Sequence, residues 1–422
     1  MRFHYTSKFL GIAMSFRVAF SKRSWPYFLA VLLPWLVHQG QRTVRTLRHG
    51  AGLRRHEASF YRFLSDFKVR TTVLRKVLFG LIVSTFKPTE ILIAVDDTLC
   101  VKWGRKIYGT GRFFDHVARP RPGFIWGHNW VVLAVVVSLF GVWVALPFWV
   151  SIYRPKASCR REEFRTRHQL VEEALRAVRT WTSLPIRLVA DGAYNNDSIL
   201  SPLKELGIPL VSRLRSDAVL RKDPPPRRRR RGRPAAYGPP LPKLPKLQRS
   251  RGGWRRVEMS IYRQVATLEV KSFDAWWPKA KCKLRVVITR DPRGRRKGAI
   301  LSSTDLSLTP EQIIEIFSRR WSIEQLFADT KQAIGLDSAE VRRPNSVVRH
   351  AALAFALVTL VRVWAHGNIS RRRPPPTSFA SQLSELREDI LTATILQSQA
   401  SAKGLRHNSR RLAKLVAERV PA

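Results

Sequence analysis

Two rhythms of apolar and polar positions run along this chain, and they change over near residue 86. Before that point apolar residues recur at helical intervals. Trp25-Pro26 opens a helix through Leu29, Leu32, Leu33, Trp35 and Leu36, and Pro34 is expected to kink it. Gln41 to Arg48 continues in the same style until Gly50 and Gly52 break it. A further helix begins at His56 and carries Phe60, Tyr61, Phe63 and Leu64. Arg42, Arg45, Arg48, Arg54 and Arg55 are expected to be exposed on these short helices and the glycine turn between them. This segment reads either as a small DNA-binding module or as an ordinary helical domain in a basic protein.

From Glu90 the pattern becomes short continuous apolar runs, which read as buried strands. Ile91 to Val95 runs into Asp96-Asp97-Thr98, and Ile186 to Ala190 runs into Asp191-Gly-Ala-Tyr194. Two strands at 128–139 and 142–152 lie between them, then a charged helix over 162–180. His128 and Asn129, at the entry to the first of these, are assigned no role. A helix over 195–206 and a strand over 208–211 follow. Lys102 to Gly123, basic and rich in Gly, reads as a long loop beside the strand ends. Strands resume at 257–262, 266–270, 284–289 and 299–303. Thr309-Pro310 then caps a helix with Glu311 and Gln312 in its first turn.

One run raises a different possibility. Val131 to Val150 holds no charged residue and is long enough to span a bilayer. It is Val-rich, Gly141 divides it and Pro147 stands near its end, so two strands around a Gly turn account for it. Ala351 to Val361 is a second apolar run, read as too short to span. The competing class is a polytopic membrane protein with basic loops.

Composition narrows the choice. The chain has 422 residues, 45% hydrophobic, enough for a large core and two or three domains. Lys and Arg number 76 against 30 Asp and Glu, a net charge of +46 spread over the whole chain. A polyanionic partner follows, most simply nucleic acid. Cys100, Cys159 and Cys282 have no metal-ligand spacing and form no disulfide framework, which fits a reducing cytoplasm. Lys222 to Gln248 is low in complexity and is expected to be extended or mobile. Within it Arg231-Gly232-Arg233-Pro234 resembles an AT-hook core, whose Arg side chains enter the minor groove of A·T-rich DNA; a plain basic linker is the other reading. Trp254, Trp276 and Trp277 lie among cations, where aromatics either stack bases or pack a sheet.

Phosphodiester cleavage must stabilise charge on the attacking and leaving oxygens, and two divalent ions held by a few carboxylates do this in many nucleases. Here Asp96 or Asp97 ends one strand and Asp191 ends another, where α/β sheets place their sites. The third carboxylate is Glu324, in the stretch Phe317 to Lys331, which has neither Pro nor Gly and reads as a helix. Arg320, Glu324 and Lys331 fall at intervals of four and seven, near one side of it.

Phe317, Arg320, Glu324 and Lys331 resemble the Tyr-x2-Arg-x3-Glu-x6-Lys signature of DDE transposases from bacterial insertion sequences, with Phe in place of the Tyr and its hydroxyl. Asp96-x-Thr98 is similar to the family's first Asp motif, and Asp191-Gly-Ala-Tyr194 to its second. The resemblance covers residues 86–365 and implies an α/β fold: an RNase H-like core interrupted by a mainly β insertion, after an N-terminal helical domain. The implied divisions are a helical, DNA-binding 1–85, a first core part 86–215, a basic linker and β insertion 216–303, a second core part 304–365 and a basic tail 366–422. It further implies that Asp96, Asp191 and Glu324 bind two Mg2+ ions, for which Mn2+ substitutes, and that Arg320 and Lys331 hold DNA phosphates. The activity implied is cleavage at element ends and strand transfer into target DNA, by a homodimer on double-stranded DNA in the bacterial cytoplasm, without a membrane partner. A transposase-derived DNA-binding protein that no longer cuts is the alternative.

Overall fold

The computed structural model describes residues 3–49, 55–115, 121, 123–225, 235–261, 264–294, 297–368 and 374–400. Five helices come first: α1 (Ser7–Met14), α2 (Trp25–Val37), α3 (Val44–His49), α4 (Glu57–Ser65) and α5 (Thr71–Phe86). Pro34 does not end α2; only its last turn follows, and the carbonyl of Pro34 accepts from His38 N–H. Arg42 is buried, not exposed as its sequence setting implies. Its Nε donates to the Trp35 carbonyl at the end of α2, 3.3 Å away. Arg54 lies outside the described residues.

The sheet then builds from β1 (Ile91–Val101), β2 (Gly111–Asp115), β3 (Gly123–Leu139) and β4 (Val142–Tyr153). Next come α6 (Arg167–Arg179), β5 (Ile186–Ala190), α7 (Asp197–Glu205), β6 (Leu210–Arg213) and α8 (Leu244–Arg249). β7 (Arg255–Ile261), β8 (Gln264–Trp277), β9 (Cys282–Arg290) and β10 (Ile300–Ser303) complete it. β1 pairs antiparallel with β3 and parallel with β5, and β5 pairs parallel with β6. With β4 beside β3, the order β4-β3-β1-β5-β6 with β3 reversed is that of an RNase H-like core. β10, β9, β8 and β7 extend this sheet beyond β6, all antiparallel. The strands between the second aspartate and the signature stretch therefore continue the core sheet.

The uncharged run resolves into β3 and β4. Phe140 (φ 54°) and Gly141 (φ 76°) form the two-residue turn, whose left-handed backbone at both positions matches the twist of the strands it joins. Pro147 sits at a register shift in the β3–β4 ladder, where a missing N–H costs no ladder bond, and its carbonyl accepts from Thr359 Oγ1 at 2.8 Å. β2 and the start of β3 lie within the stretch read as a loop; among Gly, Arg and Lys the alternation is carried by only a few residues. The basic insert is better packed at its ends than its composition implies. Leu244 of α8 is 1% exposed, and Asp223 pairs with Lys283 and accepts from Trp276 Nε1.

Four helices close the chain: α9 (Pro310–Arg319), α10 (Trp321–Asp329), α11 (Pro344–Gly367) and α12 (Phe379–Ala400). α11 is long and apolar enough to cross a membrane by length and composition, and 83% of its most apolar window is buried in the fold. The Ala351–Val361 run understates it, because the helix continues through Arg362. That buried guanidinium donates to Gln382 of α12 and pairs with Asp329 of α10. α11 packs on β4, α4, α5 and α12, and this environment accounts for its apolar surface.

His350 of α11 is fully enclosed, its ring 4.8 Å from that of Trp35. Burial pushes its imidazole down to about 3, with the charges of Lys102 and His128 adding. Burial likewise pushes His128 down to about 4, against a hydrogen bond to the Tyr108 carbonyl. Both folded values lie below the ordinary one, so the unfolded chain takes up protons first as pH falls. Their contribution is intact above about pH 6.5 and is lost towards pH 4. Denaturant unfolding over this range should show a shallower loss for His350→Phe than for the wild type; equal slopes would refute the assignment.

Candidate active site

Side chains alternate across β1, so adjacent aspartates point to opposite faces. Asp96 faces α9 and α10. Asp97 faces the other way and is taken up by packing partners: Asn129 Nδ2 donates to its Oδ2 at 2.8 Å, Tyr194 Oη donates to its Oδ1 at 3.1 Å, and Arg167 Nε stands 3.6 Å from Oδ2. Burial, followed by the charges of Asp97 and Asp96, pushes the Tyr194 hydroxyl well above its ordinary value, so it stays protonated and donates. β1 does not end at these aspartates but runs on to Val101, because its ladder with β3 continues where its pairing with β5 stops at Val95; of the two, Asp96 is the one turned to the signature stretch. Asn129, assigned no role from its sequence setting, is fully buried and holds Asp97 in place.

The signature stretch is two helices that meet at Arg320. Thr309 and Gln312 form a reciprocal capping box at the start of α9, with Pro310 in the first turn. At Arg320 the backbone tightens: its N–H donates to Phe317 O at 3.2 Å, and Ile323 N–H donates to Arg320 O at 3.0 Å. Ser318 and Ser322 donate their hydroxyls back to the carbonyls of Glu315 and Arg319. A π-turn over Thr330–Ile334 then follows α10 and ends at Gly335, φ 78°. Trp35 Nε1 of α2 donates to Ile334 O there, at 2.9 Å.

The tightened turn at Arg320 and the π-turn set where the signature side chains go. Arg320 Nη1 lies 2.9 Å from Asp96 Oδ2, and Nη2 lies 2.7 Å from Glu324 Oε1. Its Cζ stands 5.4 Å from the Phe317 ring centroid, so the aromatic face that replaces Tyr still flanks the guanidinium. Asp191, just past β5, acts electrostatically on both Asp96 and Arg320. Asn195 fixes the turn after it by donating to Arg213 O and Ser302 Oγ. Asp96, Asp191, Glu324 and Arg320 are thus brought together. Lys331 is not beside them: the π-turn carries its Nζ to the carbonyl of Leu99 on β1, 2.6 Å away. Arg231 and Arg233 lie outside the described residues.

Burial pushes the Asp96 carboxyl up to about 7, against the pull of Arg320 and of the Asp97 N–H, while Asp97 and Asp191 add to the rise. Burial acts against Arg320 too, but Asp96 and Glu324 outweigh it and hold the guanidinium above its ordinary value. The donor set suits a hard divalent cation: three carboxylates from a strand, a strand end and a helix. Burial opposes ionisation of Asp96, so added positive charge beside it would favour its carboxylate. Among the described residues, no three His, Cys, Asp or Glu side chains are gathered closely enough to bind an ion as they stand. Arg320 lies between two of the carboxylates.

The tryptophans of the basic strands are accounted for by packing. Trp254 lies between Lys271 and Arg290, 4.6 and 4.1 Å from its ring centroid, and Trp277 is 5% exposed.

The sequence model of one protein family, described as DDE superfamily endonuclease, matches residues 15–271. The match takes in Asp96 and Asp191 and ends before Glu324. No curated protein matches the chain. One solved structure, described as a piggyBac transposase synaptic complex with hairpin DNA, is 13% identical. The alignment covers 95% of this chain and 77% of that one, with a TM-score of 0.47, and nothing about this chain follows from likeness at that level.

The two faces of β1 predict different costs. Asp97→Ala leaves the Asn129 amide and Tyr194 hydroxyl without their acceptor and should cost about 2–4 kcal/mol. Asp96→Ala leaves Arg320 paired with Glu324 and should cost less. Urea unfolding of both variants measures this; a larger loss for Asp96→Ala would reverse the assignment of the two faces.

Proposed function

We propose a function from one premise: the chain belongs to the DDE superfamily of endonucleases. It acts as a transposase, cutting DNA strands at the ends of a mobile element and joining the freed 3′ ends to target DNA. The observation that carries this reading is the convergence of Asp96, Asp191 and Glu324 around Arg320. The net charge of +46 supports a DNA partner, since basic side chains gain affinity by releasing counterions from the phosphate backbone.

Asp96, Asp191 and Glu324 would hold the divalent ions, Mg2+ or Mn2+, which when bound would stabilise charge on the attacking and leaving oxygens. The remaining work belongs to the chain's own residues. Tyr194 and Asn129 lock Asp97 and so fix β1 from behind. Arg320 is an exchangeable cation. In the free protein it neutralises Asp96 and Glu324; released from them, it is placed to bind a DNA phosphate. Lys331 steadies β1 through Leu99, so a phosphate would have to compete for its ammonium.

The second reading is a DNA-binding protein derived from a transposase and no longer able to cut. It is favoured by Arg320 lying between the carboxylates.

Strand nicking of the element's terminal repeats with Mg2+ separates the two. Asp191→Asn and Glu324→Gln should abolish nicking while DNA affinity changes little. Nicking by either variant at the wild-type rate would rule out this site; a wild type that binds the ends and never nicks them would favour the second reading.

A further inference from the structure

The face of the sheet that carries Asp96 continues past the site into an exposed aromatic surface. Cys100 pairs with His128 across the β1–β3 ladder, and Asp96 with Val132. By alternation, Trp126 and Phe124 of β3 lie on that same face. On β2, Arg112 pairs with Trp126 and Phe114 with Phe124. The Phe114 and Phe124 rings meet edge to face at 5.2 Å, and Arg112 Cζ stands 4.1 Å from the Phe124 centroid. Phe124 is 60% exposed. In the loop after β1, Trp103 is 92% exposed, the most exposed large apolar side chain among the described residues. Trp126 Nε1 donates to Gly104 O, which ties this loop to the hairpin.

An apolar surface of this kind in water needs a reason. Packing supplies none for Trp103, which gains almost no burial. Its neighbours Arg105 and Lys106 are exposed, and Arg112 lies within the aromatic face. Aromatic rings interleaved with cations suit a ligand with flat π-faces joined by negative charge. At about 3.3 Å per residue, the six steps from Asp96 to Lys102, whose N–H donates to Trp126 O, span about 20 Å. That distance corresponds to about six stacked nucleotides.

We propose that Trp103, Arg112, Phe114, Phe124 and Trp126 form a stacking platform for unpaired nucleotides running from the cut strand. The proposal rests on the DNA-cleavage reading and extends it to a site outside the carboxylates. Base faces lie on Trp103 and the Phe114–Phe124 pair, while Arg112, Arg105 and Lys106 face the backbone. Such a platform tolerates any sequence, because every base presents a π-face.

The test is equilibrium binding of the full-length protein to an oligothymidine of about 16 nucleotides and to a blunt duplex of equal length. Trp103→Ala should weaken oligothymidine binding about tenfold and leave duplex binding unchanged. Trp103→Phe should retain most of the affinity. A 2-aminopurine placed in the oligonucleotide should be quenched by wild type and not by Trp103→Ala. Trp103 is almost fully exposed, so the substitution spares the core. Unchanged oligothymidine affinity, or an equal loss for both DNAs, would overturn the platform. So would a shift from oligomer to monomer with Trp103→Ala on sizing, which would make the face a contact between copies of the chain. A wild type that binds neither DNA would bring down the cleavage reading, and the platform with it.

Discussion

One guanidinium held by two carboxylates is the interaction on which the rest of the site depends. Arg320 joins Asp96, on the central strand of the core, to Glu324, one helical turn beyond it. With two carboxylate partners, the guanidinium keeps one when the other is removed, so neither single truncation strands it as an unpaired charge. The clasp therefore holds the junction of α9 and α10 against β1. It also makes the site a place where positive charge is needed and where one positive charge can be exchanged for another.

Everything around the clasp fixes the elements that carry it. The capping box starts α9, i→i−3 bonds tighten the backbone at Arg320, and the π-turn ends the run by docking on Trp35 and Leu99. On the opposite face of β1, Asn129, Tyr194 and Arg167 hold Asp97. A rigid strand fixed on both faces lets Asp96 be both buried and correctly aimed. A site built on regular elements in this way is held more tightly than one built on loops.

Much of this was legible in the chain. Continuous apolar runs ending in Asp located β1 and β5, and Gly141 divided β3 from β4, because these signals are local. The i,i+4 spacing of Arg320 and Glu324 was realised as a direct contact. Four things were not local. Asp96 and Asp97 are adjacent, and only the strand's facing decides between them. Lys331 shares a helical face with Arg320 on an ideal helix, but the tightened turn at Arg320 and the π-turn carry it elsewhere. Asn129 gave no signal except that of a polar residue at the entry to an apolar run. Its partner lies 32 residues away. The strands after β6 were visible one by one, but their joining to the core sheet rests on the β6–β10 pairing, which no short-range pattern encodes.

The measurement that tests the central claim most directly is Mn2+ titration of the DNA-free protein by calorimetry, comparing wild type, Arg320→Gln and Asp96→Asn. If Arg320 stands in for the ion at a site built from Asp96, Asp191 and Glu324, Arg320→Gln binds Mn2+ more tightly than wild type and Asp96→Asn loses binding. Equal Mn2+ affinity in all three proteins would contradict it.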